Sequence, residues 1–421
     1  MSAAALLLLQ LAAILFAARL CGMALKRFGQ PAVIGEMVAG LLLGPLAFGA
    51  WLPEWHATLF AKSSLPPLSA LATLGVTLFM FIVGAELRAP DGTRAQVRAA
   101  LSIGLSGLAL PFALGLAIAP LLHARLAADG IGFWPFALFL AAVMSVTALP
   151  VLARILKDRN LGASTPGRLA LGAAMINDAF VWILLAAVLA FTGHGKPDGA
   201  LLAVVGALAL AATAFLLLKP LYARVLRPAG IDGQPAASAF GWVFAGLLGC
   251  AAFAEWIGLH AIFGAFLFGL CLPRDERLLR FLVHRIEPMA VTLLMPALFA
   301  VAGQDTTPHA FVGIGSGAFA LILLVAASGK IAGCALGARL GGHGWRDSLA
   351  VGALMNARGL MELVAIKIGF DAGLIGPELF TLLFGMTLLT TLSASPLLSL
   401  FHRPTEPAGA DAAGAAQGIR P

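Results

Sequence analysis

The hydrophobic and polar positions of this chain are arranged in long blocks. Apolar runs of about 20 residues, the length that crosses a bilayer as a helix, are separated by short charged loops. Apolar and polar residues do not alternate within the runs, so the pattern predicts helices rather than strands. The predicted spans, numbered 1 to 13, cover 3–23, 31–50, 68–87, 99–122, 134–156, 168–192, 199–221, 238–256, 258–273, 286–303, 310–339, 347–369 and 375–400.

Composition supports an all-α polytopic membrane protein. The 421 residues are 60% hydrophobic and 11% charged, whereas soluble domains carry about 25% charged residues. The net charge of +7 is spread over short loops, so we expect no nucleic-acid partner. Four isolated cysteines, without metal-ligand spacing, are expected to be packing residues, and we expect no cofactor.

Loop charge predicts the orientation. Twenty of the 27 Lys and Arg residues follow odd-numbered spans or lie in the tail, and four lie inside spans. Only Lys62, Arg125 and Lys196 follow even-numbered spans. Positive loops stay in the cytoplasm, so the N-terminus is predicted outside and the C-terminus inside, which requires an odd number of spans. We expect an integral protein of a bacterial inner membrane, with a disordered tail over 401–421.

One carboxylate lies near the middle of span 6. The segment LALGAAMINDAFVWILLAAVLAFT is apolar except for the pair Asn177-Asp178 near its centre. A charge at membrane depth is costly, so such a residue is paired, buried in protein or faces a water-filled cavity. We predict that Asp178 binds an ion or a proton. The alternative is a hydrogen-bonded carboxylate that only holds helices together.

Three further charges lie inside predicted spans. Lys330, in SGKIAG of span 11, is too deep to reach the membrane surface easily and needs a polar or anionic partner. Arg358 and Glu362, in MNARGLMELVAIKIG of span 12, are four residues apart and share one helix face. A salt-bridge lysine and a local ion pair, neither with a role in transport, are the alternative interpretations.

Spans 5 and 12 each contain a helix-breaking segment. Span 5 reads SVTALPVLARIL, where Pro150 cannot donate a backbone N–H and Ser145 and Thr147 supply hydroxyl groups. Span 12 has Asn356 and Gly359 at a corresponding place. Paired broken helices indicate a transporter site near the membrane midplane, and the odd offset of seven spans predicts an inverted repeat.

Six motifs, in order along residues 5–400, resemble the monovalent cation:proton antiporter-2 family of the sodium/hydrogen exchanger superfamily. They are GQPAVIGEMVAGLLLGP, LFMFIVGAELR, SVTALPVLARIL, the Asn-Asp pair, GLHAIFGAFLFGLCLP and MNARGLMELVAIKIG. The Asn-Asp pair and the last motif are most similar to the Kef-like and plant cation/H+ exchanger-like branch. The resemblance implies a homodimer, with crossing helices 5 and 12 unwound. It also implies a dimerisation part at 3–87 and 238–303, a mobile core at 99–192 and 310–400, and a linker helix at 199–221.

The resemblance also implies residue roles. Asp178 matches the aspartate that binds cation and proton in turn, Lys330 the lysine of the core, and Thr147 and Pro150 the unwound crossing. Electrogenic relatives often carry Asp-Asp, so Asn177 is a departure that favours one proton per cation and leaves the partner of Lys330 open.

These observations predict an antiporter that exchanges Na+ or K+ for H+ in a membrane lipid environment. A single buried carboxylate that holds either ion, but not both, exchanges them when only the occupied site crosses the membrane. We expect Thr147 and the Asn177 amide to replace part of the cation's hydration. A cation channel and an exporter of organic cations are the alternatives. The scattered histidines show no catalytic metal spacing, so we expect no enzyme.

Overall fold

The computed structural model describes residues 2–86, 94–159, 161–162, 164–192, 205–206, 208–226, 237–257, 260–273, 275–312 and 315–401. In these ranges every regular element is a helix, and one isolated antiparallel bridge joins Ala127 to Ile375. Nine helices of this part are long and apolar enough to cross a membrane, or ten if one bent pair forms a single span. The predicted all-α membrane architecture is therefore confirmed. The tail over 402–421 lies outside the described residues.

Sixteen principal helices are labelled here in chain order. They are α1 (Ala3–Lys26), α2 (Ala32–Leu43), α3 (Leu65–Glu86), α4 (Arg94–Leu126), α5 (Phe133–Met144), α6 (Leu149–Asp158), α7 (Thr165–Thr192), α8 (Lys219–Val225), α9 (Ala237–Trp256), α10 (Ala261–Cys271), α11 (Glu276–Met289), α12 (Met295–Gln304), α13 (Gly315–Leu340), α14 (Trp345–Met355), α15 (Leu360–Asp371) and α16 (Pro377–Phe401). Single π-helical stretches, Thr213–Leu218 and Ala290–Leu294, precede α8 and α12.

The described residues contain nine or ten spans rather than the predicted thirteen, because some of the apolar helices are too short to count as spans. Three apolar helices, Phe133–Met144, Phe240–Trp256 and Ala261–Cys271, have only 10–17 residues. Predicted span 2 is among the nine, because a short helix at Phe48–Trp51 continues it after its first helix ends at Leu43. The number thirteen therefore stays a prediction.

Close helix packing divides the described helices into two groups. In the first group α1, α2, α3, α10 and α12 pack together, and in the second α4, α5, α7, α13, α14, α15 and α16 pack together. Glycine permits the closest approaches, as is common between membrane helices. A Cβ atom on Gly337 of α13 would lie 2.6 Å from the carbonyl oxygen of Ser102 on α4. One on Gly40 of α2 would lie 2.2 Å from the Phe299 carbonyl oxygen on α12.

The charged side chains that are fully buried belong to the second group. Among the described residues, the buried charges are Asp178, Lys330, Arg358 and Glu362. Burying charges is costly unless they are paired or hydrogen-bonded, so the place where they meet is the candidate functional site.

Candidate functional site

The two predicted breaks lie side by side in the structure. The first separates α5 from α6 at residues 145–148, and the second separates α14 from α15 at 356–359. The backbone N–H of Ala148 donates to the carbonyl oxygen of Ala357 over 3.1 Å. The Thr147 hydroxyl lies 3.5 Å from the Met355 carbonyl oxygen. Backbone groups that lose their helical partner at one break thus hydrogen-bond to the other break. Such bonds are required inside a membrane, where no bulk water can replace them.

Local sequence explains where each break lies. Pro150 is the second residue of α6, a position where the missing N–H has no helical partner, so it starts a helix there rather than kinking one. Gly359 precedes α15 with φ +154° and ψ −127°, a conformation that residues with a Cβ rarely adopt. The sequence thus places a helix start after each break.

Asp178 projects from α7 to the beginning of α6. Its carboxylate faces the backbone N–H of Leu149, the first residue of that helix, and this N–H favours the carboxylate anion. A helix N-terminus favours a negative charge, because its N–H groups are unsatisfied and its dipole is positive there. The side chain is 3% exposed, and its Oδ2 atom has no hydrogen-bond partner within the described part of the chain. The carboxylate therefore has a buried lone-pair site that a proton or a cation can fill.

Lys330 enters the site from α13. Its ammonium group donates to the carbonyl oxygens of Gly107 at 3.0 Å and Ser145 at 2.6 Å, and to Asn177 Oδ1 at 3.5 Å. An ammonium group has three donors, and the three acceptors here are all neutral oxygens. The polar partner that the sequence left open is thus a set of carbonyls plus the Asn177 amide, and not the carboxylate of Asp178. The Asn177 Nδ2 atom has no partner within the described residues.

Arg358 lies in the second break and does more than neutralise its neighbour. Its guanidinium pairs with Glu362 at 2.5 Å and also donates to the carbonyl oxygens of Met144 at 2.8 Å and Val143 at 3.4 Å. These carbonyls are at the C-terminal end of α5, where a positive charge is favourable. Both side chains are fully buried, so the pair fixes α5 against the second break.

Sequence reasoning missed the hydroxyl groups of α16. Thr391 Oγ1 accepts from the Arg358 backbone N–H at 3.0 Å, and Asn356 Nδ2 donates to the Ser393 hydroxyl oxygen at 3.4 Å. The signal was the motif TLLTTLSAS in the last span, because hydroxyl groups at spacings of three and four residues share one helix face.

Two of the cavities are lined by charged side chains of the bundle. The larger, of about 690 Å³, is bordered by α1, α2 and the stretch 291–296, and its lining includes Lys26, Glu36 and Arg159. The smaller, of about 190 Å³, is lined by His260, Lys367 and other residues.

An ion pair lies beside the smaller cavity, where Lys367 Nζ is 2.9 Å from Asp305 Oδ2. Burial raises the pKa of the Asp305 carboxyl, and the Lys367 charge opposes that effect. The described residues contain no group of three or more His, Cys, Asp or Glu side chains suited to a resident metal ion.

Known proteins are similar to this chain in sequence and in fold. Residues 12–400 match the model of the transmembrane sodium/hydrogen exchanger family. The chain is 35% identical over 402 residues to Cation/H(+) antiporter 17 of Arabidopsis thaliana, covering 95% of this chain and 48% of the relative. It is 33% identical to Na(+)/H(+) antiporter NhaS4 of Synechocystis, covering 93% of this chain and 96% of the relative. The chain thus spans about half the length of the plant relative and nearly all of the cyanobacterial one.

A solved structure supports the fold independently. The sodium proton antiporter MjNhaP1 of Methanocaldococcus jannaschii matches 95% of this chain and 98% of its own, with a TM-score of 0.65. At 15% sequence identity this likeness concerns the fold alone.

Proposed function

The chain belongs to the sodium/hydrogen exchanger family, and from that premise we propose that it exchanges a monovalent cation, Na+ or K+, for H+ across a membrane. The observation that carries the proposal is the buried Asp178 carboxylate at the N-terminus of α6, beside two crossing helix breaks, with one oxygen that has no hydrogen-bond partner among the residues that the structure describes. Proton and cation compete for that oxygen, and the occupied site crosses the membrane by alternating access.

A thirteen-span topology, with the N-terminus outside, is part of the proposal. Counting α5–α6 and α14–α15 as two broken spans, and α9 and α10 as short spans, brings the described helices to thirteen. The positive-inside pattern then places Lys26 and Arg159, and with them the larger cavity, at the cytoplasmic end. We propose that cytoplasmic ions approach the crossing through this cavity. We assign the protein to a bacterial inner membrane.

The two packing groups match the proposed division of labour. The group around α4 and α13 carries all four buried charges and serves as the mobile core, and the group around α2 and α12 serves as the scaffold. Several large apolar side chains of α1 are exposed, including Leu8 at 67% and Phe16 at 68%. This face is available for lipid and for a second copy of the chain in a homodimer.

Reconstituted vesicles test the proposal. A proton gradient is imposed on proteoliposomes, and its dissipation is followed on adding Li+, Na+, K+ or Rb+. We expect the wild type to respond to at least one of these ions and Asp178→Asn to be silent. Asp129→Asn, which neutralises an exposed carboxylate in the turn after α4, should exchange like the wild type.

Three outcomes contradict the proposal. Exchange by Asp178→Asn at the wild-type rate would remove its centre. Steady single-channel currents, without coupled proton movement, would identify a cation channel instead. If organic cations drive proton flux and the four alkali ions do not, the site exports organic cations.

A further inference from the structure

One hydroxyl of α16 meets the backbone of the second break. Thr391 is fully buried, and its Oγ1 lies 3.0 Å from the backbone nitrogen and 2.8 Å from the carbonyl oxygen of Arg358. The same Oγ1 lies 2.7 Å from the carbonyl oxygen of Thr387 in its own helix. A hydroxyl has one hydrogen to donate and two lone pairs to accept with. The two carbonyls therefore share one hydrogen, while the Arg358 N–H has the Thr391 oxygen to itself.

The Arg358 N–H has no helical partner, because it lies between α14 and α15. A backbone N–H left unsatisfied at this depth is costly, so the Thr391 oxygen fixes the position of the Arg358 peptide. It thereby also fixes the backbone position from which the Arg358 side chain reaches the C-terminal end of α5.

From Arg358 a short series of contacts reaches the carboxylate. The preceding residue, Ala357, accepts the hydrogen bond from the Ala148 N–H at 3.1 Å. The residue after Ala148 is Leu149, whose backbone N–H faces the Asp178 carboxylate at the N-terminus of α6. Thr391 is thus connected to the Leu149 N–H by two hydrogen bonds and two peptide links, and every group in this series except the Thr391 hydroxyl belongs to the backbone.

We propose that Thr391 is a positioning residue for the Asp178 site: its hydroxyl sets the register of the second break against the first and so aims the Leu149 N–H at the carboxylate. This inference rests on the proposed function, since its readout is cation affinity. A cation binds the carboxylate anion, so a poorly aimed Leu149 N–H weakens cation binding and favours the proton.

The variant that tests this is Thr391→Val, which keeps the shape of the side chain and removes the hydroxyl. Thr390→Val is the matched control, because Thr390 lies on the same helix, is equally buried, and donates only to the carbonyls of Met386 at 2.8 Å and Thr387 at 3.1 Å. Thr391→Ser restores the hydroxyl. For each variant, KM and the maximal rate are measured from cation-driven proton flux between pH 6 and 9, beside the thermal unfolding temperature.

We expect Thr391→Val to raise the KM for the cation about tenfold, the usual effect of losing one buried hydrogen bond. The maximal rate should change by less than about twofold, and the pH optimum should move upward, because the proton then competes better. Thr390→Val and Thr391→Ser should keep the wild-type KM and optimum.

The inference is overturned if Thr391→Val keeps the wild-type KM and pH optimum, even when its unfolding temperature falls, because the hydroxyl is then only structural. If that variant does not fold, Thr391→Cys replaces the hydroxyl with a weak acceptor and should give an intermediate KM; a wild-type KM there overturns the inference equally. A silent wild type overturns the proposed function together with the inference, whereas an active wild type with unaffected variants overturns the inference alone.

Discussion

Replacing Asn177 with aspartate puts a second carboxylate into the site with little change of shape. In the structure Asn177 Oδ1 lies 3.5 Å from Lys330 Nζ, so an aspartate oxygen at that place forms an ion pair. At 3.5 Å and an effective dielectric constant of about 20, the attraction between the two charges is about 5 kcal/mol. Burying another carboxylate costs several kcal/mol, so the two effects largely cancel and Asn177→Asp should still fold.

The expected result concerns pH and membrane potential. The added carboxylate can bind a proton, and the positive charge of Lys330 opposes that binding. The pH at half-maximal exchange should therefore move by about one unit or more, each unit corresponding to about 1.36 kcal/mol. A second proton-binding group also allows two protons per cation, so exchange should become sensitive to voltage.

The assay is cation-driven proton flux in vesicles at several pH values, with the membrane potential clamped at zero and at a negative value. Asn177→Ala is the matched control, because it removes the amide oxygen from Lys330 without adding a charge. If Asn177→Asp keeps the wild-type pH profile and voltage dependence, the interpretation of Asn177 as the determinant of stoichiometry is wrong.

Three other perturbations test the structure directly. Lys330→Met leaves three buried oxygens without a donor, at about 1–3 kcal/mol each, so exchange should stop and the unfolding temperature should fall in detergent. Gly359→Ala forces a residue with a Cβ to adopt φ +154° and should destabilise by about 1–3 kcal/mol in thermal unfolding, whereas Gly317→Ala, where a Cβ meets open space, should not. Lys367→Met should raise the pKa of Asp305 further, so its loss of thermal stability should grow as pH rises through that pKa. A pH-independent effect of Lys367→Met would contradict that ion pair.

The chemistry of the site could be predicted from the sequence, but its contacts could not. Asp178 was conspicuous because a carboxylate in an apolar segment is rare, and Gly359 and Pro150 marked the breaks because backbone conformation depends on local residues. The acceptors of Lys330 were not predictable, since two of the three are carbonyl oxygens and every residue type has a carbonyl. Thr391 was missed for a related reason. A threonine whose hydroxyl bonds only its own helix and one whose hydroxyl also bonds a break between two other helices look identical in sequence.

The balance of the four buried charges bears on how many ions move per cycle. Lys330 and Arg358 are positive and Asp178 and Glu362 are negative, so the described core is neutral when Asp178 is ionised and free of ligand. Arg358 and Glu362 form an ion pair, and Lys330 is satisfied by neutral oxygens, so none of the three needs to change its charge when Asp178 binds an ion. The core then carries one positive charge with a proton on Asp178 and the same charge with a monovalent cation there. Under the proposed function the two loaded states have equal charge, so a membrane potential should act alike on both crossings, and we expect exchange of one proton for one cation to be electroneutral. A single added carboxylate at position 177 breaks that equality, since it gives the site a second place for a proton.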